Sequence, residues 1–117
     1  MATELENIVG LVIRDMSDRS VLTVLRHGDY SIGRAPDNDL QLENPTISSH
    51  HARIYTYLTA SYIEDLNSKN GTFVDGRRIQ RHVLKPGNII RLGTHQFILE
   101  QHQAGEALTP MLGSVAK

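Results

Sequence analysis

The sequence contains no cysteine, which excludes a disulfide framework and any thiolate metal site. No apolar run approaches the roughly 20 residues of a bilayer-crossing helix. The opening Met1-Ala2-Thr3-Glu4 lacks the basic start of a secretory signal, so a cytoplasmic setting is expected and a membrane partner is not. There is no surplus of positive charge either: 12 Lys and Arg against 13 Asp and Glu leave a formal net charge of -1. Chains dedicated to nucleic acid usually carry a large cationic excess, so that class is disfavoured. Aromatic residues make up only 5% of the chain, which leaves little for base stacking. Internal repeats and low-complexity tracts are also missing.

What remains suits one globular domain. A chain of 117 residues has room for a single core, and a 39% hydrophobic fraction is too high for disorder throughout. The apolar periodicity is that of strands. Ile8 to Ile13 is β-branched and apolar, and Val21 to Leu25 follows after a polar turn from Asp15 to Ser20. Tyr30-Ser31-Ile32 and Leu40-Gln41-Leu42 alternate, and Ala52–Tyr57 and Tyr62–Asp65 make a further pair. Phe73-Val74 and Arg78-Ile79 flank Asp75-Gly76, a hairpin signal in which both turn positions need positive φ. Lys85-Pro86-Gly87-Asn88 sets Pro and Gly where a type II turn wants them. Ile89–Leu92 and Gln96–Leu99 close the series. Ten or eleven short strands without an amphipathic helix predict an antiparallel β-sandwich. The expected boundaries are a flexible segment over 1–7, the domain over 8–100, and a mobile tail over 101–117.

Four short segments fall at strand ends or in turns, where sandwich folds gather their binding loops. They are Gly33-Arg34, Ser48-Ser49-His50-His51, the stretch from Asp65 to Thr72, and Leu84 to Ile90. Each alone is a weak signal, since Asn70-Gly71 by itself reads as a plain hairpin turn. In this order they closely resemble the forkhead-associated (FHA) domain family. That family's pattern is Gly-Arg ending an early strand, Ser-x-x-His a dozen or more residues on, and Asn-Gly after a strand ending in Asp. Here the matching residues are Gly33-Arg34, Ser48 with His51, and Asn70-Gly71. Asn38-Asp39-Leu40, Ile47, Ala52, Ser68 and Thr72-Phe73-Val74 also fit the family framework, so the resemblance spans about Val9 to Leu99.

The resemblance implies a module that binds phosphothreonine peptides and recruits partners phosphorylated by a Ser/Thr kinase, as a monomer, without cofactor or catalysis. The residue chemistry agrees. Phosphothreonine carries nearly two negative charges and three acceptor oxygens, so its site needs fixed donors and a cation. Arg34 supplies a planar fork, Ser48 a hydroxyl donor and Ser49 support. Asn70, with donor and acceptor on one amide, is expected to hold the peptide backbone together with Lys69. Gly33, His51 and Gly71 shape the loops, His51 as a brace that does not touch ligand. Ser49 stands where the family often has Arg or Asn, which removes a second charge and implies modest affinity. Asn88 stands where the family has Asp, remote from the ligand. Partner sequence beyond the threonine is expected to be read by loop side chains such as Thr46 and the Ala60-Ser61 turn.

Other readings are weaker. Ser48, His51 and Asp65 spell a catalytic triad in order, but no Gly-x-Ser-x-Gly elbow or oxyanion hole accompanies them. His50 and His51 are neighbours on extended chain and point apart, which argues against a shared metal. Arg77, Arg78, Arg81, His82 and Lys85 form a basic stretch that reads as a solvated hairpin edge discouraging strand pairing. The nearest rival lies inside the family: an FHA scaffold binding a protein partner independently of phosphate.

Overall fold

The computed structural model describes residues 11–25, 29–58 and 60–101. They form eleven strands: β1 Leu11–Asp15, β2 Val21–Leu25, β3 Asp29–Gly33, β4 Leu40–Gln41, β5 Ala52–Tyr57, β6 Ala60–Asp65, β7 Thr72–Val74, β8 Arg77–Ile79, β9 Arg81–Leu84, β10 Ile89–Leu92 and β11 His95–Gln101. A six-stranded sheet runs in the order β2-β1-β11-β10-β7-β8, and a five-stranded sheet in the order β4-β3-β5-β6-β9. Among the described residues no helix is long and apolar enough to cross a membrane. The expectations for residues 1–7, for Ile8 to Gly10 and for the tail from His102 lie outside the described residues.

The period-two pattern puts one side of each strand into the space between the sheets. In β5, Ala52 and Ile54 are buried while Arg53 and Tyr55 are half-exposed; in β11, Phe97 and Leu99 are buried between less buried neighbours. One sheet supplies Ile13, Val74, Ile90, Leu92, Phe97 and Leu99, the other Ile32, Ala52, Ile54, Ile63 and Leu84. Each Ile, Leu, Val or Phe side chain among them is worth about 1.5–3 kcal/mol on burial, so this layer carries the fold. Leu42 and Ile47, from the connection into β5, are also buried and tie that loop to the core.

The turns follow their residues. Asp75 and Gly76 take φ of 52° and 85°, the pair of positive values that the Asp-Gly hairpin needs. Gly87 has φ 97°, and Asn88 N–H donates to Lys85 O at 3.1 Å, closing the Pro-Gly turn. Asn88 serves that turn twice more: its Oδ1 accepts from Lys85 N–H at 2.7 Å, and its Nδ2 donates to Asp75 at 2.8 Å.

Three details depart from the sequence reading. β1 continues through Arg14 and Asp15, because Asp15 stays in register with Phe97 while its carboxylate accepts from Ser17 N–H at 2.7 Å. The β3–β4 pair is parallel within an otherwise antiparallel pattern. The basic stretch contains a strand of its own, β9, whose Val83 and Leu84 pair with Tyr62 and Ser61 of β6.

Candidate functional site

Parity fixes which loops meet. β5 and β6 are antiparallel hairpin partners, so the chain entering β5 and the chain leaving β6 lie at one end of the sandwich. β3 is antiparallel to β5 and ends at the same place, with Ile32 opposite Ala52. Gly33-Arg34, Ser48 to His51 and Leu66 to Gly71 therefore converge. The β5–β6 turn lies at the far end, so Ala60 and Ser61 do not belong to this loop cluster, contrary to the expectation that they help read the partner.

The first two loops are joined by backbone. Arg34 N–H donates to Ser48 O at 3.0 Å, and Ala35 N–H to Ser49 O at 3.1 Å. Gly33 permits the approach: a Cβ there would lie 2.1 Å from Ser49 O, well inside contact distance. Asn38, buried beside them, donates its Nδ2 to Ala35 O and Ser49 O, each at 2.8 Å. Arg34 itself is exposed. Its Nε donates to Ile47 O at 2.9 Å, which fixes the plane of the guanidinium. The two terminal amino groups have no partner among the described residues, so the open side of the fork faces solvent.

Ser48 joins the second loop to the third. Its hydroxyl accepts Lys69 N–H at 3.0 Å, and its own proton remains to be donated. Ser49 is exposed, and its hydroxyl has no partner among the described residues. His51 is fully buried, accepting Ser48 N–H at Nδ1 (3.0 Å) while Nε2 lies 2.9 Å from Gly71 O. Because Nδ1 accepts, Nε2 carries the proton and donates it, which fixes the tautomer. The ring thus connects two loops and reaches no open surface. Asn70 is exposed and donates Nδ2 to Thr46 O at 2.8 Å, leaving its Oδ1 open; the Lys69 ammonium has no partner among the described residues. Gly71 takes φ 89°, a left-handed conformation that side chains rarely adopt.

The third loop has a brace that the motif reading passed over. The carboxylate of Asp65 accepts Ser68 N–H at 3.1 Å, Ser68 Oγ–H at 2.5 Å and Thr72 Oγ1–H at 2.7 Å. Ser68 Oγ in turn accepts Gly71 N–H at 2.9 Å. Burial pushes the Asp65 carboxyl up, but the hydroxyls of Ser68 and Thr72 and the Ser68 amide outweigh it and hold it below the usual carboxylate range. The Asp-x-x-Ser spacing is an available signal, since acidic side chains at strand ends capture the amides of the following turn. A second brace sits behind Thr46. Asn44 Oδ1 accepts from Thr46 N–H at 2.9 Å and Oγ1–H at 2.7 Å, and Thr94 N–H donates to Thr46 Oγ1 at 2.9 Å.

Triad chemistry is not assembled. Ser48 Oγ meets Lys69 N–H and not an imidazole, His51 is engaged on both nitrogens, and Asp65 is occupied by hydroxyls. His50 points away from His51 and meets exposed Asp37 at 3.0 Å. Among the described residues no group of three or more His, Cys, Asp or Glu could hold a metal ion. What the loop end does present is an arginine fork, two serine hydroxyls and an amide oxygen on a rigid frame. Such a set suits an anion attached to a peptide.

Comparison with known proteins points the same way. The sequence profile of the FHA domain matches residues 30–93. The chain is 32% identical over 96 residues to the ABC transporter ATP-binding/permease protein Rv1747 of Mycobacterium tuberculosis, covering 82% of this chain and 11% of that protein. It is 36% identical over 78 residues to the FHA domain-containing protein FhaA of the same organism, covering 67% of this chain and 15% of that protein. The chain thus spans a small part of the length of these relatives. Mycobacterium tuberculosis EmbR in complex with a low affinity phosphopeptide superposes with a TM-score of 0.78 at 30% identity, covering 85% of this chain and 26% of that one. A structure from an analysis of phosphothreonine-dependent FHA domain interactions superposes at 0.72 with 31% identity, covering 80% of this chain and 97% of that one.

Proposed function

The chain belongs to the FHA-domain family, and from that premise we propose that its loop end binds phosphothreonine peptides and recruits proteins phosphorylated by a Ser/Thr kinase. The observation that carries this reading is the state of Arg34. Its guanidinium is anchored by one bond to Ile47 O and keeps its terminal nitrogens open, while its backbone N–H is bonded to Ser48 O. A purely structural arginine at a surface usually meets a carboxylate, as Arg14, Arg19 and Arg53 do here. An arginine held rigid but left unpaired is poised for an anion from outside. Phosphopeptide-bound EmbR supports the same chemistry for a relative of similar fold.

In the proposed complex Arg34 and Ser48 hold the phosphate and Ser49 supports it. The Asn70 oxygen accepts a peptide N–H, and Lys69 lines the same edge. His51, Gly33 and Gly71 fix the loops and make no ligand contact. The module acts as a monomer in the cytoplasm and catalyses nothing. A pull-down from lysate, split between phosphatase-treated and untreated halves and repeated with Arg34→Ala, tests the reading. Partners lost in both treatments support it. Partners kept in both would establish a phosphate-independent scaffold in its place.

A further inference from the structure

Two of the 12 Lys and Arg, Arg26 and Lys117, lie outside the described residues. Of the others, Arg14, Arg19 and Arg53 are in ion pairs, Arg34 is bonded to Ile47 O, and Arg91 is bonded to Gly93 O and lies 3.9 Å over Phe73. The remainder are Lys69, Arg77, Arg78, Arg81 and Lys85, all exposed, none with an ion pair or hydrogen bond at its side chain among the described residues. They are consecutive among the cations of the chain and lie along one lateral edge of the sandwich, Arg78 on the outer face of the six-stranded sheet with Phe73 and Arg81 on the outer face of the five-stranded sheet with Tyr62. β8 is an edge of the six-stranded sheet, β9 is an edge of the five-stranded sheet, and only Gln80 separates the two.

Edge protection does not explain this grouping. The other two edges, β2 (Val21–Leu25) and β4 (Leu40–Gln41), carry no charge at all. Charged edges discourage pairing, yet among the described residues every edge cation is on one side. Among the described residues no nearby carboxylate forms an ion pair with them. Glu64 is bonded to Arg53 at 2.9 Å, Asp65 is buried under hydroxyls, and Asp75 accepts from Asn88 and Ile89 N–H. The strip is also continuous with the loop end. Lys69 precedes Asn70, and the Arg78 guanidinium lies against the backbone that follows it, its Nε 2.8 Å from where a Cβ on Gly71 would be. Arg81 follows Gln80, whose carbonyl accepts Asp65 N–H at 2.9 Å, and its guanidinium lies 5.8 Å over the Tyr62 ring.

We infer that Lys69, Arg77, Arg78, Arg81 and Lys85 form a cationic track that takes an acidic segment of the partner, on one flank of its phosphothreonine. The inference rests on the reading of the loops as a phosphothreonine site and adds the chemistry of the flank. Contiguity with those loops favours a peptide over a nucleic acid, since one chain can occupy both surfaces and gain from the tether. Long-range attraction of this kind raises association rate and is screened by salt.

The test uses the whole chain and an oriented library of peptides with fixed phosphothreonine and random flanks. Retained peptides should be enriched in Asp and Glu on one flank only. A phosphopeptide with that acidic flank should bind about tenfold tighter than its neutral counterpart at low salt, as several weak surface pairs together allow. The advantage should vanish in the variant Arg77→Gln, Arg78→Gln, Arg81→Gln, while the neutral phosphopeptide binds both proteins equally. Arg78→Glu alone should at least halve the advantage, so the outcome does not depend on the triple variant folding. Retention without acidic enrichment overturns the track and leaves the loop reading intact. An acidic preference that survives the triple variant also overturns it, as does tighter binding of a mixed-sequence oligonucleotide than of the acidic peptide. Failure to retain any phosphothreonine peptide overturns the loop reading and the track together.

Discussion

Replacing Asp65 by Ala probes the brace on which the third loop depends. The carboxylate is nearly enclosed, and it collects one amide and two hydroxyl protons from Ser68 and Thr72, themselves buried. Hydrogen bonds to a charged group contribute about 1.5–3 kcal/mol each, and the desolvated carboxylate returns part of that sum when removed. Ser68 Oγ keeps its role as acceptor from Gly71 N–H, but its own proton, the Ser68 amide and the Thr72 hydroxyl lose their partner. The net destabilisation expected is about 2–4 kcal/mol, read as a lower urea midpoint at unchanged slope. Phosphopeptide affinity should fall as well, because Lys69, Asn70 and Gly71 then lack their anchor, although Asp65 touches no ligand. A loss under about 0.5 kcal/mol, the size of an ordinary surface change, would refute the brace.

The pH dependence gives the same residue a signature. Burial pushes its carboxyl up, but the hydroxyl and amide bonds from Ser68 and Thr72 outweigh that and leave it depressed. A depressed folded value means that the stabilisation is fully present above the ordinary carboxylate range and is lost as pH falls through the folded value. Asp15 and Glu100 are depressed too and titrate in the same acid window. The comparison with Asp65→Asn isolates one residue: wild type should lose more stability than this variant between neutral and strongly acid pH. Parallel curves would show that the carboxylate is not the group being stabilised.

Arg34→Ala should weaken phosphothreonine-peptide binding by about 2–5 kcal/mol in calorimetry while shifting the urea midpoint little, since the side chain is exposed and gives up one hydrogen bond. Undiminished binding would remove Arg34 from the site. A phosphothreonine peptide should bind tens-fold better than its phosphoserine twin, the scale of about 1–3 kcal/mol that one methyl group in an apolar notch supplies; equal affinities would exclude a notch. Gly33→Ala should destabilise by at least about 2 kcal/mol, because its Cβ meets the Ser49 carbonyl at 2.1 Å and that backbone is bonded to Ala35 and Asn38. A thermal melt that is unchanged would mean that the loops separate freely.

The parts that sequence reasoning reached are those in which residue type carries the constraint. Alternating apolar residues specified the strands because half of each must be buried, and Asp75-Gly76 announced its hairpin because few other pairs tolerate two positive φ values. Gly33, Ser48, His51 and Asn70 were legible as a family pattern, and the structure brings them together at one end. β9 was not legible, because Arg81 and His82 are exposed edge residues whose only strand signal is Val83-Leu84. The braces were harder still. Asn70 is held by the carbonyl of Thr46 and His51 by the amide of Ser48 and the carbonyl of Gly71. Every residue owns a carbonyl and almost every residue an amide, so a side chain that bonds to backbone leaves no mark on the partner's identity.

The place of Ala60-Ser61, by contrast, follows from strand parity alone. Successive antiparallel strands alternate direction, so connections before and after a hairpin share one end while its own turn takes the other. Once β5 and β6 are read as a pair, Ser48 to His51 and Leu66 to Gly71 must lie together and Ala60 must lie apart from them, whatever the twist of the sheet. The same parity explains why the Gly93-Thr94 turn, which no motif singled out, reaches the loop end. β10 runs antiparallel to β7, Leu92 stands opposite Thr72, and the turn after it therefore meets Thr46. Four connections from two sheets thus lock around residues whose polar groups stay open. The frame consumes backbone and most buried polar atoms, and among the described residues of the loop end it leaves open the fork of Arg34, the proton of Ser48, the hydroxyl of Ser49, the ammonium of Lys69 and the oxygen of Asn70.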